Sequence, residues 1–158
     1  MNLLKIILMS ICLGFIWIIY QFFFTTGHPS DKNLLLQFEQ NRVKYEALVT
    51  MFEQDGSPLV IAPDRVRPAK VIPQSRWEEY NALFSELELE GGLRSLDGET
   101  IQFIASAGGL PSASSGKGYM FRPKSPQAIY DNLDKFPDTR MSYRKIDEDW
   151  YVFLHWTD

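Results

Sequence analysis

The residue types best suited to chemistry are gathered between Gly108 and Gly118, in the run GGLPSASSGKG. A glycine- and serine-rich loop ending in lysine could hold a phosphate on its backbone amides. The P-loop form of that site needs a glycine four intervening residues before the Gly-Lys pair, and a serine or threonine after it. Pro111 and Gly118 occupy those places. The run also leads into a strand pattern, where no helix N-terminus can hold an anion. Ser114 and Lys117 have the Ser-x-x-Lys spacing of serine acyl-enzymes. The Ser-Asp-Asn and Lys-Thr-Gly elements that complete such a site are absent from the sequence. The composition of the stretch follows equally from turn chemistry. Its remaining functional reading is a partner-binding loop with Ser114, Lys117 and Tyr119 as contact residues.

Other chemistries find little support. His28 and His155 are the two histidines and Cys12 is the one cysteine, so a zinc site would have to be built largely from carboxylates. No disulfide can form within the chain, and neither metal nor cofactor is expected. Asp147-Glu148-Asp149 lacks the alternating ligands and distant glutamate of a calcium loop and reads as a solvated turn. His155 is expected on a sheet face beside Tyr151 or Phe153, as a surface contact rather than a base.

Charge is unevenly spread. From Glu78 to Glu99 there are seven acidic residues against Arg94 alone, whereas Arg65, Arg67, Lys70 and Arg76 form a basic cluster just before. Such a cluster suits an acidic protein partner or anionic lipid headgroups. The whole chain carries −4. Lys5 is the one charge among residues 1–24, so the remainder is more negative by one. That balance argues against a nucleic-acid binder, whose footprint is basic.

The elements that would position these residues follow from periodicity. Ser30 or Asp31 caps a helix over 31–54, whose apolar positions Leu35, Phe38, Tyr45, Leu48, Val49 and Phe52 recur at helical spacing. Leu59-Val60-Ile61 has strand character, and 64–74 is expected to be irregular. Ser75 and Glu78 fit a capping box for a second helix over 76–87. Leu93–Leu96 and Thr100–Ser106 flank the hairpin signal Asp97-Gly98. A loop over 108–116, a strand over 117–122, a short helix over 125–133 and a final hairpin of 141–146 with 150–156 complete the pattern. Large side chains on both faces of 150–156 predict an interior strand.

The chain begins differently. From Ile6 to Phe24 about 19 residues carry no charge, close to the ~20 that a membrane-crossing helix needs. The run is longer than a signal-peptide core, and its aromatic end offers a poor cleavage site. The expected architecture is therefore α+β: an N-terminal transmembrane helix over 1–24, a linker over 25–30, and one domain over 31–158 with two helices packed on a mainly antiparallel β-sheet. The short N-terminal tail predicts a single pass of a bacterial inner membrane, with the domain on the periplasmic or outer side.

Tyr45-Glu46-x-Leu48-x-x-Met51, Lys117-Gly118-Tyr119 and Trp150-Tyr151 resemble a pattern in small, N-terminally anchored bacterial proteins of unknown function. That resemblance implies no activity and no catalytic residue. The functional expectation is a non-enzymatic binding or interaction protein, one form of which is an immunity-type protein that blocks an incoming toxin. The competing expectations are a small tethered hydrolase using the Gly108–Lys117 loop, and an anionic-lipid module using the Arg65–Arg76 cluster.

Overall fold

The computed structural model describes residues 27–56, 59–110, 113–135 and 139–157. The expected transmembrane helix over 1–24 lies outside these residues. Among the described residues no helix is long and apolar enough to cross a membrane. The longest, α1 (Asp31–Gln54), has 24 residues but carries charges along its length, such as Lys32, Glu39, Arg42, Lys44, Glu46 and Glu53. The fold is thus two helices on a seven-stranded antiparallel sheet, which corrects the architecture that placed a membrane helix ahead of them.

Helix α1 starts where the sequence places it, with the Ser30 hydroxyl accepting from the Asn33 amide at 3.2 Å. Its inward stripe is Leu34, Phe38, Tyr45, Leu48, Val49 and Phe52. At Asn41 the backbone leaves helical geometry, and the Asn41 side-chain amide donates to the Gln37 carbonyl at 3.1 Å. A side chain competing for a helix carbonyl is a recognised cause of such a kink. Helix α2 (Gln74–Glu86) begins one residue before Ser75, which therefore lies inside the helix rather than at its cap. Pro73 stands at the cap position and no side chain caps it, so the expected capping box is not formed.

The strands are β1 (Val60–Ala62), β2 (Arg65–Arg67), β3 (Gly92–Ser95), β4 (Ile101–Leu110), β5 (Ala113–Phe121), β6 (Met141–Lys145) and β7 (Trp150–Thr157). Their order in the sheet is β2-β1-β3-β4-β5-β7-β6, so β7 is an interior strand and β2 and β6 are the edges. Directly opposed residues share a face. The register Leu93–Phe103–Tyr119–Val152 therefore runs along one face, and the helices pack there. Trp150 is the hub: its ring lies 4.9 Å from Phe38, 5.1 Å from Phe103 and 4.9 Å from Phe121. The Tyr45 hydroxyl is buried beside it with no hydrogen-bond partner among the described residues, and burial pushes it up to about 12.

Three segments differ from expectation. The stretch 64–74 is not irregular throughout, because Arg65–Arg67 folds back on β1 as the edge strand β2. The run 108–116 is not an open loop, because β4 and β5 stay paired from Ile101–Phe121 out to Leu110–Ala113. The segment 125–133 is extended rather than helical. Its amides take partners from elsewhere: Tyr130 N–H donates to the Tyr143 carbonyl at 2.8 Å, and Leu133 N–H to an Asp31 carboxylate oxygen at 2.7 Å. These tertiary bonds replace the ones a helix would supply.

Gly118 is where the sheet tolerates no side chain. A Cβ there would collide with the Phe103 carbonyl oxygen and the Ala105 amide, beside the irregularity between Ile104 and Ser106. Gly118→Ala should lower unfolding stability by on the order of 3 kcal/mol, measured by urea denaturation. An unchanged midpoint would show that the β4 bulge absorbs the methyl group.

Candidate functional site

The basic cluster is divided by the fold. Arg76, on α2, donates to Asp55 at 2.9 Å and to Glu79 at 2.8 Å. Tyr80 donates to the same Asp55 oxygen at 2.8 Å. These bonds fasten α2 to the end of α1, and the Asp55 and Glu79 carboxylates raise the Arg76 guanidinium above its ordinary value. Arg65 turns back on Asp64 at 2.8 Å. Among the described residues Arg67 and Lys70 make no side-chain ion pair or hydrogen bond, and both are exposed; these are the two cations of the four left for a ligand.

A groove of about 720 Å³ lies between β2 and the first turn of α2, whereas Arg67, opposite Val60 in the ladder, projects from the other face of β2. Val66, Val71, Ile72, Pro73 and Trp77 supply its apolar walls, and Lys70 lines it. Trp77 is held in place by donating its indole N–H to the Ala62 carbonyl at 2.9 Å. Lys70 is held at φ +62°, a left-handed conformation that costs an L-residue roughly 1–2 kcal/mol. A glycine would adopt it freely, yet a lysine occupies it. It is the third position of a turn closed by the Val71 N–H on the Pro68 carbonyl at 3.4 Å, which sets the lysine at the mouth of the groove.

Lys117, Ser114, Tyr119 and His155 are placed elsewhere and are not brought together. Lys117 is buried on the helix-facing side of β5, with its ammonium 2.7 Å from Asp31 Oδ1 and 2.7 Å from Asp134 Oδ1. Arg144 reaches Asp31 Oδ2 at 3.1 Å, and the Asp31 amide donates to Asp134 at 2.9 Å. The approach of Lys117 to Asp31 Oδ1 is charge against charge without hydrogen-bond alignment. Burial pushes the Asp134 carboxyl up, but the hydrogen bonds from Lys117 and from the Asp31 amide outweigh it and hold the group below its ordinary value. An ammonium so enclosed is not free to act as a base. Tyr119 is in the core, donating to the Leu34 carbonyl at 2.8 Å. Ser114 exchanges a 2.6 Å bond with Thr157 at the outer end of β5. His155 lies on the opposite face of β7, where burial and the nearby Arg94 lower its pKa.

One constellation was not visible in the sequence. His28 is clamped between Ser106 and Ser115, its Nδ1 and Nε2 each 2.7 Å from a hydroxyl oxygen. Trp156 stands edge-on at 6.1 Å. The geometry has the outline of a serine–histidine dyad. However, Ser115 sits on a strand paired on both sides, so its amide is committed to the ladder rather than to an oxyanion. The arrangement instead fastens the start of the domain to β4 and β5, across part of what was expected to be a free linker. No family model, curated protein or solved structure matches the chain.

Two outcomes follow from this geometry. Lys117→Met leaves two carboxylates in a buried site, and should cost about 3–5 kcal/mol in denaturant unfolding; a loss under 1 kcal/mol would mean that the cluster is hydrated. Burial and the nearby Lys117 charge lower the His28 pKa, so between its folded and unfolded values the unfolded chain binds more protons. The stabilisation is complete above about pH 6.5 and declines as pH falls through and below that value. Thermal melts from pH 8 to pH 5 should show this decline, and His28→Gln should flatten it.

Proposed function

We propose that the protein is a non-enzymatic binding module that takes an anionic, partly apolar group into the groove between β2 and α2. The observation that carries this reading is Lys70, a cation with no ion-pair partner among the described residues, held in a left-handed turn position at the rim of an apolar groove. The volume lies within the range of small-molecule and anchor-residue pockets, roughly 300–1,000 Å³. Arg67 lies on the other face of β2, outside the groove. A lipid-surface role is served less well, since Arg65 and Arg76 are already engaged by Asp64, Asp55 and Glu79. A hydrolase built on Ser114 and Lys117 is disfavoured because the lysine is enclosed by carboxylates.

The test uses 8-anilinonaphthalene-1-sulfonate, an apolar dye with one negative charge. Wild-type protein should bind it with a fluorescence increase that weakens with added salt. Lys70→Gly should bind about fivefold more weakly, the ratio that corresponds to ~1 kcal/mol. Its melting temperature should be equal or higher, because glycine relieves the left-handed backbone. Dye binding unchanged in Lys70→Gly would remove the groove as the site.

A further inference from the structure

Resting on that reading of the groove, we infer that its occupant is an extended acidic segment of another protein, laid along β2 as an added strand, with the local pattern acidic–apolar–acidic.

The register supplies the pattern. β2 is an edge of the sheet, and its residues pair as Ala62–Arg65, Ile61–Val66 and Val60–Arg67. Backbone hydrogen bonding alternates along an antiparallel pair. Ala62 and Arg65 close the two-residue turn at Pro63-Asp64 and bond to each other, so Ile61 and Val66 turn their backbone groups outward from the hairpin. On the β1 side those groups meet β3, which pairs Ile61 with Leu93; the Leu59 carbonyl, two residues earlier, likewise accepts from the Ser95 amide at 3.0 Å. On the β2 side the Val66 N–H and C=O face the free edge. Among the described residues no backbone hydrogen bond outside the ladder involves them.

An incoming residue opposite Val66 would exchange both hydrogen bonds with it. It would also share its face, which is the face that lines the groove. That residue is therefore apolar. Its two neighbours project to the other face, where Arg65 and Arg67 project from β2. Those neighbours are therefore acidic, and the contact with Arg65 competes with its exposed partner Asp64. Pro68 follows at once and offers no N–H, so the added strand is registered on a single residue pair. Arginine and proline on an edge also serve to discourage pairing. An edge built only for protection has no use for an apolar groove beside its one outward-facing amide.

The full chain would be titrated with a fluorescein-labelled peptide Gly-Glu-Leu-Glu-Gly. Comparison peptides carry N-methyl-leucine, glutamine in place of both glutamates, or the shuffled order Leu-Glu-Glu. The parent peptide should bind in a salt-sensitive manner. N-methylation should weaken it about tenfold by removing a ladder donor, and the glutamine and shuffled forms should each weaken it about fivefold. Arg67→Glu should lose the parent peptide and gain the lysine analogue Gly-Lys-Leu-Lys-Gly. Equal binding of the parent, N-methyl and shuffled peptides would overturn strand addition while leaving the groove as a site for anionic amphiphiles. Dye binding without any peptide binding would do the same. Absence of both dye and peptide binding would overturn the inference together with the reading it rests on.

Discussion

The enclosed ammonium of Lys117 is the constraint on which the arrangement of this domain depends. An ion removed from water must be matched at close range or its desolvation cost is not recovered. The matching carboxylates are Asp31 at the start of α1 and Asp134 in the extended segment, and Arg144 on β6 reaches Asp31 as a second cation. Both carboxylates are fixed in turn by a backbone bond, from Leu133 to Asp31 and from Asp31 to Asp134. The same small cluster therefore determines where the long helix begins, why residues 128–134 run extended, and how the β6 edge is flanked. Immediately beside it, His28 fastens the preceding residues to β4 and β5.

Against that paired interior, the other end of the sheet stands out for what is left unpaired. Charges near α2 are consumed in holding helices together, through Arg76, Asp55 and Tyr80. Arg67 and Lys70 are not consumed in this way. A protein can keep cations without partners at little cost on its surface, so their freedom alone carries little weight. The weight comes from the position of Lys70 at the rim of apolar walls, with Arg67 on the outer face of the free edge strand.

Local signals were readable to the extent that local bonds decide the outcome. The Ser30 cap and the helical stripe from Phe38 to Phe52 depend on neighbours within one turn, and they are found where the spacing places them. Asp97 likewise makes its turn from within, accepting from Thr100 N–H at 2.7 Å. Where partners come from far along the chain, reading fails. Ser125-Pro126 announces a helix, but the amides beyond it are taken by Tyr143 and Asp31. Lys117 looks like the end of a mobile glycine loop, and nothing near it in sequence reveals Asp31, 86 positions earlier. The basic cluster was legible as composition, yet its division into engaged and unengaged members depends on Asp55, Asp64 and Glu79. The groove itself had no sequence signature, because its walls are ordinary aliphatic residues and one tryptophan.

The basic character of the short edge strand has a consequence for self-association. Two copies meeting edge to edge about Val66 in antiparallel register would set Arg65 of one against Arg67 of the other. Like charges directly opposed across strands are destabilising. The arginines that suit a negatively charged strand thus exclude the commonest competitor for an open edge, another molecule of the same protein. Selectivity and resistance to aggregation would then share a single physical origin.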